Sequence, residues 1–206
     1  MTGSKTIEVE MRGPLSSSQL SILVSHLKTN GEFVERKERV LIDYSTLLPE
    51  QDLKNRKVDI RLRNTNKVSE IIIKTGNWGG SDVRREYSIK SDAPFDTMVQ
   101  AYMLLGYTKG VLCIRNIDVY NYAGIEIAVV EVPDHSYFFE AEIETDDEGN
   151  VEEAQTKLKK VLAALDLRVH SDSEYFDYIE QLNNEANIIF DTAKESETYF
   201  SDNYGI

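Results

Sequence analysis

The stretch "IEVEMRG", residues 7–13, alternates apolar and charged side chains over its first six positions. In an extended chain alternate side chains share a face, so Glu8, Glu10 and Arg12 lie together, opposite the apolar residues. The apolar face of such a strand belongs in a protein core. The charged face has two alternatives, bulk water or the lining of a cavity, and the choice between them decides the fold.

Seven further runs have the composition and punctuation of strands. They are residues 38–45, 57–64, 69–76, 83–90, 110–122, 124–132 and 136–145. Apolar residues at helical spacing predict helices within residues 13–33, 93–107, 151–167 and 173–200. This order indicates an α+β protein dominated by an antiparallel sheet, and eight strands are enough to close a barrel without exposed edges.

The charged face of the first strand recurs on other strands. The charged residues that share such faces or end such a run are Asp59, Arg61, Arg63, Lys74, Arg84, Glu86, Arg115, Glu140, Glu142 and Glu144. For any single strand, a solvated outer face explains these charges. Taken together, acids on the first and last strands and bases between them favour a cavity, because clustered carboxylates repel by roughly a few kcal/mol per pair unless cations lie among them.

The formal net charge is −13, and most of it belongs to the last third of the chain. Residues 1–143 contain 18 basic and 20 acidic residues, whereas residues 144–206 contain 5 and 16. This acidic exterior argues against nucleic acid as a partner, since nonspecific binding depends on neutralising phosphates. The single cysteine, Cys113, cannot form an internal disulfide, which predicts a reducing, cytoplasmic location. The sequence shows no signal-peptide core and no run near the roughly 20 apolar residues of a membrane span.

Several of these runs carry a family resemblance. "IEVEMR" resembles the ExExK signature of the CYTH family, the triphosphate tunnel metalloenzymes, with Arg12 where the family usually has lysine. The later matches, in order, are "IRLRN", "IIIKTG", "RREYSI", "LLGYTKGVLCIRN", "YFFEAEIE" and "LKKVLAALDLRVHSDSEYFDYIEQL". The resemblance covers residues 5–183, and the order of the motifs is more specific than any one of them.

The resemblance implies an eight-stranded antiparallel β-barrel with flanking helices and a helical C-terminal tail, its tunnel binding a triphosphate. We expect residues 1–183 to form this domain with its closing helices, and residues 184–206 an acidic helical extension. The residues that would hold Mg²⁺ or Mn²⁺ are Glu8, Glu10, Glu140 and Glu142. Those that would grip phosphate are Arg12, Arg61, Arg63, Lys74, Arg84 and Arg115. The catalytic set would be Glu8, Glu10 and Arg12.

The implied activity is metal-dependent hydrolysis of inorganic tripolyphosphate, a nucleoside triphosphate or thiamine triphosphate. A class IV adenylyl cyclase, which makes cyclic AMP and pyrophosphate from ATP, is one alternative. A noncatalytic triphosphate- or polyphosphate-binding module is another. It is motivated by the seventh strand, which has Ala128 and Val130 where the family usually has an acid, although Glu126 shares their face.

Two further expectations concern the second strand and the tail. Glu38 and Arg39 are additional candidates for the cavity lining. Tyr199, Phe200 and Tyr204 offer apolar surface that a second subunit could cover, so a homodimer stays open.

Overall fold

The computed structural model describes residues 3–48 and 53–206, with side chains from residue 6 onward. Its centre is a closed antiparallel barrel. The eight barrel strands are β1 (Gly3–Leu15), β2 (Glu32–Asp43), β3 (Val58–Thr65), β4 (Val68–Thr75), β5 (Ser81–Ser91), β6 (Lys109–Tyr122), β7 (Ile125–Val132) and β8 (Ser136–Thr145). They follow one another around the barrel as β2-β3-β4-β5-β1-β8-β7-β6, and β6 pairs with β2 to close it. The predicted α+β class and the eight-stranded barrel are confirmed.

Strand register places the alternating residues of β1 on the inside and outside of this barrel. Glu10 lies opposite Glu142 of β8, and Arg12 lies opposite Glu140. Val9, on the other face, is buried in an outer apolar cluster. The charged face of β1 therefore points into the barrel, and the apolar face points toward the helices that pack around it.

Five α-helices occur in the described part of the chain. They are α1 (Ser17–Asn30), α2 (Phe95–Leu104), α3 (Val151–Ala164), α4 (Asp172–Glu185) and α5 (Tyr199–Tyr204). Leu27 of α1 and Leu158 of α3 are fully buried in the cluster that contains the outer face of β1. Burying one such leucine contributes about 1.5–3 kcal/mol. None of the helices among the described residues has the length and apolarity needed to cross a membrane.

Helix α4 lies across one mouth of the barrel. Ser171 caps its first turn, accepting a hydrogen bond from the Glu174 backbone N–H, and the Glu174 carboxylate accepts one from the Ser171 backbone N–H. Leu182 is buried in a cluster with Val130 and Phe138, which belong to the inner faces of β7 and β8. The helix therefore closes the barrel end by covering apolar side chains that the strands point inward.

The tail differs from the helical expectation because it contains a ninth strand, β9 (Ile188–Asp191). β9 pairs with Lys109–Leu112 of β6. That edge of β6 is available because β7 pairs only with Asn116–Tyr122. The prediction of one or two helical segments over residues 173–200 is thus wrong for Ile188–Asp191, and an otherwise unpaired strand edge supplies the reason.

The aromatic residues of the tail pack within this chain. Phe200 is fully buried, with ring centroids 4.9 Å from Phe95 and 5.1 Å from Phe190. The Asp96 carboxylate accepts hydrogen bonds from the backbone N–H groups of Phe200 and Ser201 at 2.9 Å. Helix α2 therefore covers much of the surface that the sequence offered to a second subunit.

Candidate metal and triphosphate site

The interior of the barrel holds a cavity of about 220 Å³, called here the central cavity. Its acidic lining residues are Glu8, Glu10, Glu86, Glu126, Glu140, Glu142 and Glu144. Its basic lining residues are Arg12, Lys37, Arg39, Arg61, Arg63 and Lys74. With every group ionised, seven acids and six bases would leave the protein lining slightly negative, and a polyanion would then need additional positive charge.

Three of the acids form a cluster suited to a cation. Carboxylate oxygens of Glu8, Glu10 and Glu142 all lie within 4.8 Å of one another. Burial raises the pKa of Glu8 and Glu10, and burial together with the Glu8 charge raises the pKa of Glu142 to about 8. Loss of hydration is the main cause of these shifts, and it outweighs the pairing of Glu8 with Lys74 and of Glu10 with Arg12. An all-oxygen donor set of this kind fits Mg²⁺ or Mn²⁺.

Glu140 lies outside this cluster. Its Oε1 atom is 3.4 Å from Arg12 Nε. Burial alone would raise its pKa, but the charges of Arg12 and Arg39 lower it. Of the four acids predicted to bind metal, the structure thus groups three and pairs the fourth with a guanidinium. The ligand role of each stays a prediction.

Arg12 is engaged by protein acceptors on several sides. Its Nη1 donates to Asp82 Oδ2 at 2.7 Å and to the Gly79 carbonyl at 2.9 Å, and its Nη2 donates to Glu10. The guanidinium carbon lies 5.1 Å from the ring centroid of Tyr175. If Arg12 bound phosphate directly, one of these hydrogen bonds would have to break. With the bonds in place, the Arg12 side chain fixes the position of Glu10.

Arg61, Arg63 and Lys74 line the central cavity, as the sequence led us to expect of the phosphate-gripping set. Lys74 Nζ contacts Glu8 and lies 3.1 Å from Glu86 Oε2, so it links the acidic cluster of Glu8, Glu10 and Glu142 to β5. Arg63 Nη2 lies 2.9 Å from Glu70 Oε2. Lys74 and Arg63 are therefore held at the cavity wall by carboxylates from other strands, whereas Arg61 pairs with Asp59 of its own strand.

Strand β2 adds two more cations, Lys37 and Arg39. Arg39 was a candidate from the sequence, whereas Lys37 was missed because "ERKER" carries charges on both faces and shows no alternation. Burial, reinforced by the neighbouring Arg63, lowers the pKa of Arg39 to about 10. Glu38, the other candidate, is exposed and is not part of the lining.

Arg84 and Arg115 lie away from the central cavity. Arg84 is 1% exposed, and its Nη1 donates to Asp59 Oδ2 at 2.7 Å beneath the lining. Arg115 lines a separate, adjoining space, described below. On β7, Ala128 lines the central cavity without a charge, but Glu126 also reaches it and pairs across the strands with Glu142.

A closed eight-stranded barrel lined inside by acids and bases is the architecture of the triphosphate tunnel proteins. Residues 6–176 match the CYTH domain family, and the chain belongs to that family. No curated protein matches the chain.

Solved structures support the same fold. The PH1012 protein of Pyrococcus horikoshii OT3 has a TM-score of 0.64 at 16% identity, covering 82% of this chain and 98% of its own. The PH1819 protein of the same organism has a TM-score of 0.62 at 21% identity, covering 84% and 99%. A protein of Vibrio parahaemolyticus described as a candidate adenylate cyclase has a TM-score of 0.57 at 14% identity, covering 82% and 92%. At these identities the likeness concerns the fold.

Proposed function

We propose that this protein is a divalent-metal-dependent hydrolase of a linear triphosphate bound in the central cavity. The observation that carries the proposal is the cluster of Glu8, Glu10 and Glu142, with oxygens within 4.8 Å, in the same cavity as Lys74, Arg61 and Arg63. Acids so close together need a cation, and arginine and lysine side chains match phosphate oxygens. Membership of the CYTH family supports the same substrate class.

The proposed reaction needs no covalent nucleophile from the protein. Water adds to the terminal phosphorus while the bridging P–O bond breaks, so tripolyphosphate gives orthophosphate and pyrophosphate. A divalent cation at the acidic cluster would neutralise phosphate charge and orient the water. Lys74, Arg61 and Arg63 would hold the chain in line and stabilise charge that develops on the leaving oxygen. Arg12 would act on Glu10, keeping its carboxylate turned toward the cluster.

The test is product analysis with purified protein. Tripolyphosphate, ATP and thiamine triphosphate are incubated separately with Mg²⁺ or Mn²⁺, and the products are resolved by ion chromatography. We expect orthophosphate release, and Glu10→Gln should lower the rate by about 100-fold or more. The matched control is Glu131→Gln, because Glu131 lies on the outside of the barrel, where Asn116 Nδ2 donates to it at 3.0 Å.

Other outcomes separate the alternatives. Cyclic AMP with pyrophosphate from ATP would identify a cyclase, and ligand binding without any product would identify a noncatalytic module. Equal rates for Glu10→Gln and the parent protein would contradict the proposed role of the cluster.

A further inference from the structure

A second cavity of about 120 Å³ adjoins the central cavity at the end closed by α4, and we call it the α4 chamber. The residues that line both spaces are Arg39, Arg61, Trp78, Ile117, Glu140 and Tyr175. Helix α4 contributes Ile179, Leu182 and Asn183, and Asn187 follows it. The two cavities are therefore neighbours, with the side chains of these six residues forming the walls that they share.

The charge of the α4 chamber differs in sign from that of the central cavity. Its charged lining residues are Arg39, Arg56, Arg61, Arg115, Asp43 and Glu140. Asp59, beneath this lining, pairs with both Arg56 and Arg61, so four arginines face three acids and one net positive charge remains, whereas acids outnumber bases by one in the central cavity. The chamber is thus the part of the barrel where an anion needs no added cation.

Arg56 lines the chamber and pairs with Asp43 and Asp59, but part of its guanidinium has no partner among the described residues. It is 2% exposed, and its Nη1 donates to Asp43 Oδ2 and Thr46 Oγ1, each at 2.9 Å. Its Nη2 has no hydrogen-bond partner among the described residues. A buried, charged donor left without an acceptor is unfavourable, so an anionic oxygen in the chamber would be stabilised by it.

Arg115 is held in the chamber by neutral groups. Its Nη2 donates to Asn187 Oδ1 at 2.8 Å and its Nη1 donates to the Ile114 carbonyl at 2.7 Å. No carboxylate of the described residues forms an ion pair with it. Its charge is therefore oriented but not neutralised, which suits an anion that arrives with the ligand.

The size and walls of the α4 chamber select the kind of anion. Its 120 Å³ is below the 150 Å³ or so of a cavity that accommodates benzene, which leaves no room for a nucleoside. The Trp78 ring is covered by Arg56, 3.9 Å from the centroid, and by the rings of Tyr175 and Phe176 at 5.3 and 5.8 Å. Arg56 thus covers one face of the indole, and because Trp78 is only 7% exposed it offers little surface on which a base could stack.

We propose that the α4 chamber is a subsite for one further phosphoryl group, so that the protein prefers linear inorganic polyphosphates of four phosphates to tripolyphosphate and to ATP. The geometry behind it is a positively charged space that adjoins the central cavity and is too small for a nucleoside. It is lined by Arg56, whose Nη2 has no partner among the described residues, and by Arg115, which is bonded only to neutral groups there. The inference rests on the proposed function, since it takes a triphosphate in the central cavity as its starting point.

The test compares linear tripolyphosphate, linear tetrapolyphosphate and ATP, titrated into the protein by calorimetry at constant ionic strength, with Ca²⁺ in place of Mg²⁺ because the proposed hydrolysis would consume the ligands. Chromatography after each run checks that the ligand is intact. Tetrapolyphosphate should bind about tenfold more tightly than tripolyphosphate, the gain of one charge-assisted hydrogen-bonded contact. ATP should not share this gain.

Variants assign the preference to the chamber. Asn183→Asp adds a carboxylate to the chamber wall and keeps the oxygen that accepts a hydrogen bond from Asn187 Nδ2 at 2.9 Å. It should abolish the tenfold preference while leaving tripolyphosphate binding within about twofold. Asn184→Asp is the matched control, because Asn184 is exposed on α4 and does not line the chamber. Arg115→Gln should likewise weaken tetrapolyphosphate more than tripolyphosphate.

The outcomes distinguish the two proposals. Equal affinities for tripolyphosphate and tetrapolyphosphate, or a preference that survives Asn183→Asp and Arg115→Gln, would overturn the subsite and leave the proposed function standing. ATP binding as tightly as tetrapolyphosphate would also overturn it. A protein that binds no tripolyphosphate at all would refute the proposed function and the subsite together.

Discussion

Replacing Asp59 with asparagine should destabilise this protein more than a typical surface change, because Asp59 is a fully buried counterion. Its Oδ2 accepts from Arg84 Nη1 at 2.7 Å and from Arg61 Nη2 at 2.5 Å. Its Oδ1 contacts Arg56 Nε. The side chains of Asp59, Arg56 and Arg84 are at most 1% exposed, so water cannot replace the lost charge.

The magnitude follows from the burial of the arginines that remain. Removing one partner of a buried ion pair costs about 3–5 kcal/mol, since the other charge stays desolvated. Asp59→Asn keeps the shape and one acceptor oxygen but leaves Arg56, Arg61 and Arg84 in mutual repulsion. For a chain of this size the expected fall in melting temperature is about 6–20 °C. The matched control is Asp118→Asn, because Asp118 pairs at 3.0 Å with an Arg36 side chain that is 52% exposed, and such pairs contribute about 0–1 kcal/mol.

The assay is urea unfolding followed by circular dichroism at several pH values. Burial alone would raise the pKa of Asp59, but Arg61, Arg56 and Arg84 lower it below its usual value. A carboxyl with a lowered pKa contributes stability above the unfolded-state pKa of about 4, and this is lost as the pH falls through the folded-state pKa. The difference between the parent and Asp59→Asn should therefore be constant from pH 6 to 8 and shrink in acid. A loss below about 1 kcal/mol at pH 7, or one equal to that of Asp118→Asn, would refute this reasoning.

Two further substitutions test the acidic cluster and the packing of the barrel wall. Glu142→Gln should lower the affinity of the protein for Mn²⁺ by about 100-fold in calorimetry. The control, Glu153→Gln at an exposed position on α3, should leave this affinity unchanged. Equal Mn²⁺ affinities of Glu142→Gln and the parent protein would exclude Glu142 as a ligand. Gly13→Ala should destabilise the fold by about 3 kcal/mol or more, because its Cβ would lie 1.9 Å from the backbone oxygen of Arg168. Gly149→Ala is the control, because its Cβ would lie 3.2 Å from the flexible end of a side chain, and this variant should unfold near the parent temperature. A Gly13→Ala protein that also unfolds near the parent temperature would contradict the predicted clash.

The barrel and much of its lining could be predicted from the sequence because strand alternation encodes a face. Glu8, Glu10 and Glu142 each sit in a run of strict period two, and the register of β1 with β8 then brings them together. The same rule fails for β2, where charges occupy both faces and Lys37 looks no different from the exposed Glu38. Alternation identifies a face only when its two sides differ in polarity.

Other features depend on contacts between distant parts of the chain. Arg56 precedes β3 in "KNRKVD", a segment with no apolar periodicity, and its burial arises from Asp59 and Trp78. "IIF" in β9 fits a helical stripe equally well, and the open edge at the start of β6 selects the strand. The local sequence pattern could predict neither the burial of Arg56 nor the strand β9, because the residues that determine each of them lie elsewhere in the fold.

If a divalent metal and a polyphosphate bind as proposed, the distribution of charge along the barrel predicts that they bind cooperatively. A polyphosphate carries negative charge along its whole length, yet the acids Glu8, Glu10 and Glu142 crowd one part of the cavity and the arginines of the α4 chamber occupy the other. Without a cation, the acidic part repels the phosphates that the arginines attract. A bound metal should therefore raise the affinity of the protein for polyphosphate. Thermodynamic linkage then requires polyphosphate to raise the affinity of the protein for metal by the same factor. Because acids and bases nearly balance in the central cavity, we expect tight binding of each proposed ligand to require the other.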